Sequence, residues 1–378
     1  MANNDSRADA VLTVQALRTQ MTFKLPPEHA HLAPAVAQMW DRCLVTPTVF
    51  GMCRRMSAFD EVDDEQDLIR LYGNQVAAAS VDQALHSALG ELLLFHAAGL
   101  ARPDGRVLTL VAASGTGKTT AARTLGQHFG YVSDEVVAAE LDGTIRPFPK
   151  PLQILVGTQL PKHAFGPEEL GLKPAGDNLR LGPVVLLNRQ AGETPRLERC
   201  PYPEALAKIV PQTSSLHRLP QPLQHLCRHF DSCGGVWQLT YGEIADAVDL
   251  LREAPFAPLT DAPAWQTVPL TEPVEAAPIA PTTGVATWQR AKVLDAIRYG
   301  DTTSVLLGQN FMVLQGPGQL LWHLTEHPRT LPELVDALVQ TYGPHDDAEE
   351  LTCEFLGHLV GEGLLHEPAM SSVPPAGT

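Results

Sequence analysis

The chain has 378 residues, 44% of them hydrophobic and 19% charged, a composition that reads as globular and a length that allows two domains. Its formal net charge is −16 at pH 7, with no dense Lys/Arg patch to offset it, which argues against nucleic acid as a partner. No run of about 18 apolar residues is present, so no membrane span is expected. Met1–Ala10 lacks the basic-then-apolar order of a signal peptide, and the expected location is cytoplasmic.

Met1–Gln20 reads as a loose lead-in, and Met21–Leu25 alternates like a strand. Ala33–Cys43 has helical spacing, with Val36, Met39 and Trp40 on one side. Gln83–Leu94 is apolar-rich and runs into Phe95-His96-Ala97-Ala98. The apolar stretch Val107–Val111 then leads into Ala112-Ala113-Ser114-Gly115-Thr116-Gly117-Lys118-Thr119, and a helical segment follows over Thr119–His128. Strand, glycine-rich turn and helix in that order make a phosphate-binding loop. Successive backbone N–H groups around Gly115 and Gly117 can point at one anion, and the helix N-terminus adds positive potential. Lys118 supplies a point charge for the β and γ phosphates, and the Thr119 hydroxyl can reach Mg²⁺. Ser114, Thr116 and Thr120 complete the expected nucleotide-binding set. The first glycine of G-x-x-x-x-G-K-[ST] is Ala112 here, which fits only where the backbone avoids positive φ. The loop does not distinguish ATP from GTP.

Tyr131-Val132-Ser133 is a short strand that ends in Asp134-Glu135, one helix length past the loop. Two adjacent carboxylates there can divide the work. One orients a metal through water, and the other accepts a proton from an attacking hydroxyl. Val184–Leu187 and Val236–Leu239 are predicted strands, and Ala205–Val210, Leu223–Phe230 and Ile244–Leu251 predicted helices. Pro255–Pro281 carries seven prolines and reads as an extended, semi-rigid linker. Beyond it, Val305–Leu307 and Phe311–Leu314 are predicted strands joined by the turn Gly308-Gln309-Asn310. Predicted helices follow over Gln319–Thr325, Leu331–Tyr342 and Asp347–Gly361, and Pro368–Thr378 is a Pro/Ser-rich tail. The six cysteines form no C-x-x-C pair. Cys227 and Cys233 flank His229 but match no zinc spacing, so buried reduced thiols are expected.

The loop Ser114–Thr119 followed by Tyr131-Val132-Ser133-Asp134-Glu135-Val136-Val137 resembles the HPr kinase/phosphorylase group, as does the upstream pair His96-Ala97. Pro147-Phe148-Pro149-Lys150-Pro151 is similar to divergent members found in peptide biosynthesis. The resemblance spans roughly Thr22–Leu251 and implies an α/β P-loop kinase domain. It implies Mg²⁺ held at Thr119 with Asp134 and Glu135, Asp134 as catalytic acid/base, and His96 and Lys118 beside the γ-phosphate. Lys150 and Arg180 are the implied substrate contacts. Two departures stand out: Glu135 replaces the family's second Asp, and Asp177–Gly182 echoes the Glu-x-Arg-Gly segment only loosely. Members of this group often form oligomers, so a homo-oligomer is a further expectation.

The segment Trp288–Glu367 is similar to PqqD-like domains, small α+β winged-helix-like modules that recognise leader peptides. The combined expectation is a kinase domain over 1–254, a linker over 255–285, a PqqD-like domain over 286–368 and a flexible tail over 369–378. Its expected function is transfer of the γ-phosphoryl group of ATP to a Ser/Thr-type hydroxyl on a ribosomally made precursor peptide. Two rivals belong beside it: a nucleotide-binding adaptor that delivers the peptide to another enzyme, and a kinase of a small molecule or free amino acid.

Overall fold

The computed structural model describes residues 11–47, 52–113, 115–157, 160–270 and 286–366. Ser114, residues 271–285 of the expected linker and the 369–378 tail lie outside the described residues. The architecture is mixed α/β and divides into two units. The first comprises residues through Pro201, then Lys208–Leu219 and His229–Leu259. The second comprises Tyr202–Ala207, Pro220–Arg228 and residues from Thr260 on. The boundary expected at residue 254 therefore falls a few residues later, and two short segments of the expected first domain group with the second unit.

A seven-stranded mixed sheet organises the first unit, in the order Lys173–Pro174, Gly130–Ser133, Ala97–Ala101, Arg106–Val111, Arg180–Arg189, Val236–Tyr241 and Arg196–Cys200. Ala97–Ala101 is buried throughout, as is Val107–Val111. Such unbroken burial belongs to strands covered on both faces. The Lys118–Leu125 helix packs through Ala121, Ala122 and Leu125, with Ala98, Leu100, Leu108 and Leu110 in the same cluster. Among the described residues, no helix is long and apolar enough to cross a membrane.

Three segments differ from expectation. Within the stretch read as a lead-in, Val11–Ala16 is a strand paired antiparallel with Thr19–Lys24, and Leu12, Val14 and Ala16 are buried. Glu65–Ala88 is a long helix that hydrophobic periodicity left unmarked, because its buried face is largely small: Gly73, Ala77, Ala79, Ser80, Ala84 and Ala88. A Cβ at Gly73 would lie 2.5 Å from Met39 Sδ and 2.9 Å from Ala164 Cβ, so the close approach itself requires glycine. Asp64 caps this helix by accepting from the Asp67 N–H at 2.8 Å. The described part of the expected linker is folded. Phe256 is buried with its ring edge-to-face on Trp237, Leu259 N–H donates to Asp231 O at 2.8 Å, and Trp265–Thr267 is a strand. The prolines punctuate this stretch, but the apolar residues between them find cores.

The second unit holds a four-stranded sheet in the order Trp265–Thr267, Asp295–Tyr299, Thr302–Leu307 and Asn310–Gln315, all antiparallel. The helices Gly316–Leu324, Leu331–Tyr342 and Ala348–Gly361 follow, close to where they are predicted. Their core includes Leu321, Trp322, Leu334, Leu356 and Leu359. Thr330 and Glu333 form a capping box at the start of Leu331–Tyr342. Asp295 is fully buried and accepts from the Leu223 N–H at 2.8 Å, the Gln224 N–H at 3.1 Å and Gln224 Nε2 at 2.8 Å. A carboxylate is thus spent on the orphan donors at the start of the Pro222–Ser232 helix.

His323 in this unit lies 2.8 Å from Thr303 Oγ1. Burial, followed by Arg298 and Arg290, pulls its pKa below the ordinary 6.5, against the opposing Glu326. The unfolded chain therefore takes up the proton first. Stability is fully present above pH 6.5 and falls as the pH drops from there to the depressed folded value. Urea midpoints at pH 7.5 and 5.0 should show a smaller acid loss in His323→Gln than in wild type; equal losses would remove this residue from the account.

Of the cysteines expected to be buried, Cys43, Cys200, Cys227 and Cys233 are, whereas Cys53 and Cys353 are exposed. Cys53 sits on the strand Met52–Arg55 and Cys353 on the outer part of the Ala348–Gly361 helix, where nothing covers them.

Candidate functional site

Strand register brings the site together. Ala97 pairs with Val111 across antiparallel strands, so His96 and the start of the loop leave the sheet at the same edge. Gly99 pairs with Ser133, which delivers Asp134 to that edge as well. Backbone bonds fasten the junction: Ala97 N–H donates to Glu135 O at 3.1 Å, and His96 N–H to Gln212 O at 2.7 Å.

Ala112 lies outside the left-handed region, so a Cβ is tolerated where the motif has its first glycine. Gly115 and Gly117 have φ of +78° and +96°, with open space where a Cβ would stand. Backbone conformation, and not crowding, is what demands glycine at both. Gly117 then caps the Lys118–Leu125 helix. Thr116 Oγ1 donates to Ala113 O at 2.6 Å and tightens the turn. The Lys118 ammonium is buried and donates to Ala112 O at 2.6 Å and Ala113 O at 3.3 Å. Burial lowers its pKa, and the nearby Glu135 charge opposes that shift.

Asp134 is 4% exposed, and its two oxygens face different neighbours. Oδ1 accepts from Lys150 Nζ at 2.9 Å and lies 3.3 Å from Tyr131 Oη, while Oδ2 lies 3.4 Å from Thr119 Oγ1 on the loop side. Burial, then the Asp134 charge, pushes the Tyr131 phenol well up, so it remains a donor. Its firmer bond is to Lys150 O at 2.9 Å. Glu135 Oε2 lies 3.1 Å from Lys150 Nζ. Burial works to raise the Glu135 carboxyl, but the Lys150 ammonium outweighs it and holds the group below the usual glutamate range. For Lys150 burial works to lower the pKa, and Asp134 with Glu135 outweighs it, so the lysine stays charged. Burial, then Lys118, pulls His96 below the ordinary imidazole range, while Glu135 and Asp134 pull the other way.

These groups line a cleft of about 540 Å³ that includes His96, Gly115, Gly117, Lys118, Thr119, Thr120, Asp134 and Glu135. That size suits a nucleotide-scale ligand. Periodicity and motif spacing alone did not mark Arg123, Gln153, Ile154, Leu155 and Lys162, which also line it. Arg123 could have been found, since it lies one helical turn beyond Thr119 on the same helix. The others come from the Leu152–Ile154 and His163–Phe165 hairpin and its connection, where no local signal points to the cleft.

Two expected substrate contacts lie elsewhere. Lys150 is fully buried behind Asp134 and Glu135, because its ammonium neutralises both carboxylates. Arg180 pairs in register with Arg106, at the start of the strand whose other end carries the loop. At about 3.3 Å per residue the strand separates it from the loop by roughly 17 Å. Its side chain is largely exposed and pairs with Asp142 at 3.6 Å.

Mg²⁺ prefers oxygen ligands and commonly takes one or two carboxylates together with substrate phosphates and waters. The Thr119 hydroxyl and Asp134 Oδ2, close together at the cleft, fit that donor set. Glu135 has one oxygen committed to Lys150. Among the described residues, no group of three or more His, Cys, Asp or Glu side chains forms a self-contained metal cage. Compared with family models and with curated proteins, the chain matches none.

Proposed function

We propose that the first unit is an HPr-kinase-like P-loop kinase that transfers the γ-phosphoryl group of ATP to a Ser/Thr-type hydroxyl of a ribosomally made precursor peptide. The observation that carries this reading is the approach of Asp134 Oδ2 to Thr119 Oγ1 at the mouth of a glycine-turned loop. A carboxylate, a hydroxyl and a helix N-terminus converging on one cleft are the parts that phosphoryl transfer requires.

The loop N–H groups and Lys118 hold the phosphates, and Lys118 exchanges the carbonyls of Ala112 and Ala113 for phosphate oxygens. Thr119 and Asp134 would hold Mg²⁺, which would supply charge neutralisation on the phosphates. Asp134 accepts the acceptor hydroxyl proton as the oxygen bonds to γ-phosphorus, and the bond from γ-phosphorus to the bridging oxygen breaks to release ADP. The depressed pKa of His96 keeps it neutral at pH 7, as a hydrogen-bonding wall beside the γ-phosphate.

The second unit is proposed as a PqqD-like module that binds the leader part of the peptide. Asn310–Gln315 is an edge strand of its sheet, and its outer residues are partly exposed. An extended peptide can add to such an edge through main-chain hydrogen bonds. Tethering the leader raises the effective concentration of the peptide core at the kinase cleft.

Mass spectrometry of the genomically neighbouring precursor peptide, after incubation with this protein, ATP and Mg²⁺, tests the reading. A gain of one phosphate that is lost on truncating the leader is the expected result. Leader binding without any mass change would replace the kinase by an adaptor. Transfer that ignores the leader would point to a smaller acceptor.

A further inference from the structure

Lys150 is a fully buried lysine with its ammonium wholly occupied. Its three protons meet Asp134 Oδ1 at 2.9 Å, Glu135 Oε2 at 3.1 Å and Pro151 O at 3.4 Å. None is left for a ligand. Replacing a buried ion pair by apolar side chains of similar volume is often neutral or stabilising, so stability alone does not account for a lysine here.

The surrounding chain holds this lysine in place. Pro149 and Pro151 bracket it and restrict the backbone to extended conformations. Phe148 is buried beside it, and the Lys150 N–H donates to Phe148 O at 2.8 Å. Tyr131 Oη donates to Lys150 O at 2.9 Å and reaches Asp134 Oδ1 at 3.3 Å. The lysine and tyrosine thus converge on the same carboxylate oxygen and leave Oδ2 toward Thr119.

We infer that Lys150 is a positioning residue for the phosphoryl transfer proposed above, on which this inference rests: it clamps Asp134 by Oδ1 so that Oδ2 is presented to Thr119 and to the acceptor hydroxyl. The clamp acts on Asp134 orientation and touches neither nucleotide nor acceptor. It therefore bears chiefly on turnover, and on nucleotide affinity only through the Mg²⁺ that Asp134 would hold.

The test uses the full chain with γ-labelled ATP, Mg²⁺ and the full-length, leader-bearing precursor peptide as the acceptor probe. Lys150→Met should lower kcat roughly 100-fold, as expected when a reacting group is displaced by about an ångström. The KM for ATP should change far less than kcat, since the loop N–H groups and Lys118 that would hold the phosphates are untouched. Lys150→Arg, which keeps the charge and two of the donor directions, should recover part of the lost turnover. Where Lys150→Met does not fold, the double variant Lys150→Met/Glu135→Gln removes the like-charge pair and serves instead. Persistently low kcat in that double variant supports positioning, and recovery to near wild-type turnover overturns it in favour of simple charge balance. An unchanged kcat in Lys150→Met, or a loss confined to KM, also overturns the inference. Wild-type protein that transfers no label brings down the kinase reading itself, and the inference with it.

Discussion

Asp134→Asn is expected to leave Mg²⁺-free nucleotide binding intact while lowering phosphoryl transfer by about 10²–10⁴-fold, the usual worth of a positioned general base. The amide is nearly isosteric and can keep an oxygen toward Lys150 Nζ, now 2.9 Å from Oδ1. What it loses is the capacity to accept the acceptor's proton, together with the negative charge near Thr119. Because Asp134 is 4% exposed and stands beside the Lys150 ammonium, the substitution also leaves Glu135 as the remaining carboxylate partner of that lysine. Calorimetric titration with a Mg²⁺-free, non-hydrolysable ATP analogue, set against label transfer, separates the two effects. Undiminished transfer would exclude Asp134 as the base.

Lys118→Ala is expected to cost about 10²–10³-fold in transfer, the scale seen when one preorganised electrostatic donor is removed from a reacting centre. Unlike the Asp134 change, it should also weaken nucleotide binding. The Lys118 ammonium is buried at the foot of the loop and bonded to the carbonyls of Ala112 and Ala113. It is therefore pre-placed and partly desolvated, which strengthens its attraction for an incoming phosphate. Removing it leaves the Ala112 carbonyl without this partner, so a modest loss of thermal stability should accompany the functional loss. Fluorescence titration with a labelled ATP analogue gives the affinity change. Wild-type affinity and transfer in the variant would show that the loop does not serve as a phosphate cradle.

The contrast between these two changes follows from where each group acts. In the proposed mechanism Asp134 meets the acceptor proton, so its effect should fall mainly on turnover, whereas Lys118 would meet charge present in both ground and transition states and should affect binding as well. A thermal-stability measurement on both variants keeps either loss from being read as unfolding.

The glycine-rich turn and the helix after it were legible in the sequence because their requirements are local. Positive φ at Gly115 and Gly117 calls for glycine, and the helix that starts at Lys118 follows directly from the chain that makes the turn. The same locality made the Gly308-Gln309 turn readable, together with the three C-terminal helices. The long Glu65–Ala88 helix was less legible, because small residues bury its face without producing an apolar stripe.

Sequence by itself determined the loop, the spacing of Asp134 from it and the α/β character of the chain, since each depends on residues close together along the backbone. Only the tertiary structure decided which distant residues join them. The pairing of Ala97 with Val111 and of Gly99 with Ser133 sets His96 and Asp134 at one sheet edge, and the pairing of Arg180 with Arg106 puts that arginine at the other. Lys150 reads along the chain as a turn lysine among prolines, yet it ends fully buried between two carboxylates. The physical reason is that a buried charge is settled by its partners, and register and packing across the whole sheet choose those partners.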